Sequence, residues 1–405
     1  MSRRALPAVR AATIALPLAL AATLALPAAA GAQESVFNVA GFGVPSSGES
    51  MAARGTGGSE VGPHGEIFSL ENPARMARFG RAGIYLSLLG QTTEAEGAGG
   101  SGDFSDVVFP AAQIVFPAWR EAGLGIGYGQ VVDFDARIAT RTTFEGDSVD
   151  VTLESEGALA MVSPGFGLPV GRRTAVGVTL DFYLGSRDLI QTVELAGESP
   201  GAVTAADTLG WRFRGVGAAF GIDQALGERL RVGAAWRFRP TIDTEITRSS
   251  ADEVGREVEF DLPSELVVDV AGQLSNSLFA GVAARWSPWS ELSGEGIDPE
   301  LQEDLVEIGG GLEWRPENRT ALLLGANAPL RLGARWRRLP VVAAGESVTE
   351  WSLSVGHGRA FSGWSRVDAT FEMGRRGALE ENGLSERFMR LGVAVAAFEQ
   401  WQRVD

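Results

Sequence analysis

Arg173 to Gly185 reads RTAVGVTLDFYLG, and its alternation decides the fold. Val176, Val178, Leu180, Phe182 and Leu184 fall on one face of an extended chain. Gly177, Thr179, Asp181, Tyr183 and Gly185 fall on the other. Successive side chains of a strand point to opposite faces, so a period of two separates an apolar face from a polar or small one. Leu230, Val232, Ala234, Trp236 and Phe238 oppose Arg229, Arg231, Gly233, Arg237 and Arg239 in the same way. Leu330, Leu332, Ala334 and Trp336 oppose Arg331, Arg335 and Arg337, and Val367, Ala369, Phe371 and Met373 oppose Arg366, Asp368, Thr370 and Glu372.

A soluble β-sandwich or β-solenoid alternates too, but its strands average about 5–6 residues. A strand that crosses a bilayer needs about 9–11 residues at a tilt near 45°. The stretches here have the longer length, and their apolar faces are uniform enough to suit lipid. The pattern therefore predicts an all-β chain, a transmembrane antiparallel β-barrel of about 14 strands. The candidate strands are 82–90, 106–117, 122–133, 149–163, 174–186, 208–220, 229–240, 259–272, 277–288, 303–315, 329–338, 349–360, 365–374 and 387–401. The apolar piece Ala321 to Ala326 is the weak point of that count.

Connectors alternate in character. Arg120-Glu121, Asp223 to Glu228, Ser275-Asn276, Pro316 to Arg319 and Phe361 to Gly363 are short, and Pro164 to Arg172 joins them. The others, 91–105, 134–148, 187–207, 241–258, 289–302, 341–348 and 375–386, are mostly long and polar. Outer-membrane barrels have short periplasmic turns and longer outer loops. An even strand count returns both ends to one side, so the mature N- and C-termini are expected in the periplasm. Trp119, Trp211, Trp286, Trp289, Trp314, Trp336, Trp351, Trp364 and Trp401 stand at or near strand ends, where amphipathic rings meet lipid headgroups.

The N-terminus supplies an export signal. Arg3, Arg4 and Arg10 precede the apolar run Ala11 to Leu26, and Ala30-Gly31-Ala32 is a small-residue cleavage site, so 1–32 reads as a signal peptide. The chain has 405 residues and no cysteine, which excludes thiolate chemistry and a lipid-anchored N-terminus. Its formal net charge of -16 argues against nucleic-acid binding, which rests on neutralising phosphates.

Residues 33–80 do not alternate. They hold Gly41, Gly43, Gly48, Gly55, Gly57, Gly58, Gly62 and Gly65, and near their end Asn72-Pro73-Ala74-Arg75-Met76. Pro73 fixes φ and lacks an N–H, and Asn72 can bond nearby backbone to close a turn. Met51-Ala52-Ala53-Arg54-Gly55, Gly57-Gly58 and this Asn-Pro-Ala sequence resemble the N-terminal hatch of the FadL-like outer-membrane transport proteins. PorV-type barrels carry a similar Asn-Pro-Ala. Pro329-Leu330-Arg331-Leu332-Gly333 and the closing stretch Gly374 to Trp401 resemble the last strands of members of that superfamily. Arg75 stands where the family motif often has glycine.

The resemblance implies a hatch or plug over 33–80 inside a barrel over 81–405. Its gating residues would be Arg54, Gly55, Asn72, Pro73, Ala74 and Met76. The implied function is passage of hydrophobic small molecules such as long-chain fatty acids across an outer membrane. The alternative is a PorV-like assembly or shuttle barrel with a closed lumen and protein partners at its outer loops. The expected lumen face carries Asp181, Arg231, Arg237, Arg331, Arg335, Asp368 and Glu372. Expected partners are outer-membrane lipids and a hydrophobic ligand.

No cofactor and no metal is expected. Asp298, Glu300, Glu303 and Asp304 read as a solvated loop. The chain has two histidines, His64 in the plug segment and His357 on the lipid face, opposite Ser352 and Ser354. A Ser-His-Asp site needs its His beside a Ser, so no enzyme is expected.

Overall fold

A computed structural model describes residues 35–39, 41–61, 67–97, 100–118, 122–144, 147–195, 203–248, 255–292, 299–316, 328–361 and 365–399. From Ala82 to Glu399 the chain forms a closed antiparallel barrel of 14 strands. These are β1 (Ala82–Gly97), β2 (Gly100–Val108, resumed as Ala111–Pro117), β3 (Gly123–Asp133, resumed as Ala136–Phe144), β4 (Asp147–Val170) and β5 (Thr174–Leu195). There follow β6 (Val203–Leu226), β7 (Leu230–Arg237, resumed as Thr241–Arg248), β8 (Arg256–Asp261, resumed as Glu265–Gln273), β9 (Leu278–Ser287) and β10 (Leu305–Trp314). The last four are β11 (Leu330–Ala343), β12 (Glu346–Ala360), β13 (Arg366–Arg376) and β14 (Leu384–Glu399). Each pairs with the next. β14 returns to β1, with Leu384 opposite Gly97 and Glu399 opposite Ala82. Closure satisfies the backbone without edges, the condition for strands to cross hydrocarbon. Among the described residues no helix is long and apolar enough to span a membrane.

The expected phase holds along the strands. Leu180 is 55% exposed and Leu332 59%, while Asp181 and Arg331 beside them are buried. Val282, Ile308, Leu353, Val355, Met389 and Leu391 continue the outward apolar surface around the barrel. Trp286, Trp314, Trp336 and Trp351 point outward, and Trp336 pairs with Trp351 across β11 and β12. Trp289 departs from the expected aromatic belt: it is 5% exposed and packs inside. Trp211 is half-buried and packs against the same interior cluster. Trp119, Trp364 and Trp401 lie outside the described residues, as does Ala321 to Ala326.

Two expectations about connectors change. Much of 91–105, 134–148, 187–207 and 241–258 is strand rather than loop. In β1, Glu94 and Glu96 face outward while Thr93 and Ala95 stay buried, so the ladder outlasts the apolar outer face. The composition changes where lipid gives way to water, and the backbone pairing does not. Pro164 to Arg172 is also mostly strand. Pro164 sits opposite Ile126, and the β4–β5 register is the same on both sides of it.

Several strands are interrupted or shift register toward the hairpin end. β2 is interrupted at Phe109-Pro110, β7 at Phe238–Pro240, β8 at Leu262–Ser264, and β11 between Arg338 and Val342. Proline cannot donate to the ladder, and a break of this kind re-aims the next side chains. In β7, Arg231 and Ala235 are buried before the break, Ile242 and Thr244 after it.

The segment before β1 makes its contacts with inward-facing side chains. A 3-10 turn (Val36–Val39), a two-residue strand (Val44–Pro45) paired with β3, a one-turn helix (Met51–Arg54) and a 3-10 helix (Pro73–Arg78) are its ordered elements. The barrel's two ends, Ala82 and Glu399, share one mouth as expected. Ser35 does not: its hydroxyl donates to Glu386, near the hairpin end of β14, so the segment runs from one mouth to the other. An even strand count constrains the barrel's ends, and it says nothing about the segment that precedes the first strand.

Candidate functional site

Asn72, Pro73, Ala74 and Met76 meet the wall at the short-turn end. Asn72 caps the 3-10 helix: its side-chain oxygen accepts from the Ala74 N–H at 3.1 Å, and its amide donates to the Ile222 carbonyl of β6 at 3.0 Å. A side-chain cap here satisfies buried donors that water would otherwise take. The wall is built to admit this backbone. Gly177 of β5 lies against Pro73, and a methyl group there would collide with the proline's carbonyl carbon and oxygen. Gly221 lies as closely against the Asn72 side chain.

Arg75 turns this end into a charged lock. It pairs with Asp269 of β8 at 2.5 Å, with Glu60 of the same segment, and with Asp223 of β6 at 3.7 Å. Arg78 bonds Asp223 at 2.6 Å, and Arg231 donates to the Glu60 carbonyl. Burial pushes the Glu60 carboxyl above its ordinary pKa, against the opposing pull of Arg75 and Arg231. The position that departs from the family motif thus carries the contacts.

Arg54 and Gly55 sit at mid-barrel. The Ser50 hydroxyl caps their helix, and the Met51 N–H donates to the Tyr85 hydroxyl at 2.8 Å while Thr370 donates to the Met51 carbonyl at 2.7 Å. Arg54 pairs with Glu372 of β13 at 2.9 Å and with Glu49 at 3.0 Å, and Arg335 of β11 reaches Glu49 at 2.6 Å. Gly55 approaches the Gly356 backbone, and Gly57, with φ +67°, lies between Gly310 and Ala334. Burial would raise the Glu49 carboxyl, but Arg335 and Arg54 outweigh it and hold the pKa below the ordinary value.

The remaining lumen residues chosen from the sequence are all paired, and all are buried except Arg237, which is half-buried. Arg331 joins Glu313 and Asp368, each at 2.7 Å. Arg237 joins Asp181 at 2.9 Å and Glu265 at 3.0 Å, and donates to the Leu70 carbonyl. Arg231 reaches Asp223 at 3.8 Å. Sequence reasoning missed the acids on the segment, Glu49, Glu60 and Glu71, which pair with Arg335, Arg75 and Arg285. Carboxylates in a Gly-rich, non-alternating stretch were the available signal.

The hairpin end holds a different chemistry. Phe42, between Gly41 and Gly43 at positive φ, enters an aromatic box of Phe134, Phe213, Phe260 and Trp289, with ring centroids 5.2–6.0 Å away. Edge-on and tilted contacts at this spacing are the favourable arrangements of aromatic rings. Nothing in the alternation marks Phe42; the Gly-Phe-Gly triplet was the cue.

Ser352 and Ser354 are buried in the lumen and His357 lies on the other face, so they cannot act together. His64 lies outside the described residues. Glu303 pairs with Arg338, and Asp304 accepts from Ser290. Oxygens of Asp106, Asp133 and Asp135 lie within 4.8 Å of one another, but Gln130 and the Asp135 N–H already bond Asp133.

A family profile described as BamG matches residues 12–403. The chain belongs to the BamG family. No match is found among curated proteins. Solved structures similar to this BamG-family chain are FadL-type barrels. A Pseudomonas aeruginosa FadL homologue aligns with TM-score 0.59 and 13% identity, over 91% of this chain and 99% of that one. The Ralstonia pickettii toluene transporter TbuX aligns with TM-score 0.58 and 17% identity, over 90% and 100%. The Pseudomonas putida toluene transporter TodX gives 0.55 and 14%, over 89% and 100%. At these identities the likeness is one of fold.

Proposed function

We propose that the mature chain is an outer-membrane channel for hydrophobic small molecules, aromatic hydrocarbons or long-chain fatty acids, and that 33–80 is its hatch. The observation that carries this is the seating of Asn72–Met76 against Gly177 and Gly221, directly above an open cavity. That cavity, of about 980 Å³, opens at the short-turn mouth and is lined by Ala77, Arg78, Phe79, Pro117 and Pro169. Above it, a cavity among Leu70, Met161, Tyr183 and Trp289 holds only about 50 Å³. Ligand sites run to about 300–1,000 Å³, so passage requires the Asn72–Met76 region to shift. The fold shared with toluene transporters and the outward apolar belt support the location and the cargo. In this reading the short turns face the periplasm and the long hairpins face outward.

A second reading draws on the ion pairs of Glu49, Arg54, Glu60 and Arg75 with the wall. They favour a permanently closed barrel whose partners are proteins at the outer hairpins. Deleting 33–78 separates the two. The strands bond their neighbours, so the barrel should stay folded and heat-modifiable, and a bore well above eight strands should conduct in planar bilayers. The full chain should also take up toluene or oleate into liposomes. No uptake by the full chain, with conductance only after deletion, would favour the closed barrel. An intact barrel with no conductance gain would end the hatch assignment.

A further inference from the structure

Arg187 of β5 is 8% exposed and stands beside the aromatic box. Its guanidinium lies 5.2 Å from the Phe134 ring centre and 5.6 Å from that of Trp211. The interior arginines described above all pair with carboxylates; Arg187 does not. Its N–H groups go to the Ser155 hydroxyl at 3.0 Å and to the carbonyls of Gly41 and Asn38, each at 3.3 Å. Among the described residues no acid joins them. Charge-assisted bonds of guanidinium to carboxylate are shorter, about 2.7–2.9 Å, and about twice as strong as neutral ones. A buried cation without an anion is costly, so the site has an unmet demand for negative charge.

The two carbonyls belong to the stretch that carries Phe42. Asn38 and Gly41 hold the guanidinium while Phe42 fills the box between them. One short piece of chain therefore supplies an aromatic ring and, next to it, oxygen acceptors. We propose that Asn38, Gly41, Phe42 and Gly43 occupy a binding site for an aromatic carboxylate, with the ring of the ligand in place of Phe42 and its carboxylate on Arg187. Gly41, at φ +60°, and Gly43, at φ +89°, are the joints on which Phe42 swings. The site rests on the reading of the barrel as a small-molecule conduit. Its test is equilibrium binding rather than flux, so failure of transport and failure of the site are separate results.

The probes are 2-naphthoate and 2-methylnaphthalene, titrated into the full mature chain in detergent and followed by tryptophan fluorescence and calorimetry. Phe42→Ala empties the box, and naphthoate should bind it at least tenfold more tightly than it binds the parent chain. Arg187→Met should cut the preference for naphthoate over methylnaphthalene at least tenfold, and Arg187→Lys should restore part of it. Unfolding is checked by heat-modifiable mobility. Should Arg187→Met not fold, naphthoate binding to the folded Phe42→Ala chain must still exceed methylnaphthalene binding. Equal binding of the two probes by Phe42→Ala, or no gain of naphthoate affinity in that variant, overturns the assignment.

Discussion

The guanidinium of Arg75 and the carboxylate of Asp269 meet at 2.5 Å, although 194 residues separate them in sequence. Arg75→Ala leaves Asp269, Glu60 and Asp223 with less compensation in a buried site. Removing one partner of a buried pair costs about 3–5 kcal/mol. The expected outcome is a chain whose segment 33–80 becomes sensitive to added protease while the barrel stays folded. Unchanged protease resistance would mean that the wall glycines alone hold the segment.

Gly177→Val tests those glycines without touching a charge. Its side chain collides with Pro73. Overpacking costs about 1–3 kcal/mol, here as displacement of Asn72–Met76 rather than of the strand. Single-channel recordings should show openings absent from the parent chain. A silent variant with normal mobility would place the constriction elsewhere.

Acid should loosen the mid-barrel contact. The Glu49 pKa lies below its ordinary value, so its contribution is complete above about pH 4.5 and disappears as pH falls through the lowered pKa. Conductance should therefore rise below pH 4.5, and Glu49→Gln should remove that rise while raising the baseline at neutral pH. Glu60 runs the other way: burial raises its pKa, so protonation near and above pH 4.5 relieves it. A rise that survives in Glu49→Gln would assign the effect to another acid.

Leu180→Arg and Leu332→Arg place a charge on the apolar outer face, at about 2–4 kcal/mol each near the midplane. Glu96→Arg, on the polar outer face opposite Ser385 near the β1–β2 tip, should change stability by less than about 0.5 kcal/mol. Urea unfolding in lipid vesicles measures all three. Equal losses would mean that the outer face of β5 and β11 does not meet lipid.

The barrel was legible because lipid imposes one rule on every strand. Leu180 and Leu332 had to point out, so Asp181 and Arg331 had to point in, and the count of strands followed. What surrounds Arg331 was not legible. Its partners are Glu313, directly opposite on β10, and Asp368 on β13, two strands away, and pairing between strands leaves no trace in the periodicity of one strand. The same holds for Trp289, read as a headgroup residue from its place at a strand end. The chain enters a 3-10 turn there, and the ring turns inward to Phe42. Arg187 opens 187–207, which reads from the sequence as a long polar connector. Only the structure shows that its neighbours are rings and carbonyls.

The path from Ser35 at one mouth to Ala82 at the other makes the barrel a ring threaded by its own leading end. The seam that closes the ring, β14 on β1, joins the last strand to be synthesised to the first. A thread with Arg54, Arg75 and Phe42 projecting from it cannot be drawn into a finished bore without stripping those side chains of their partners.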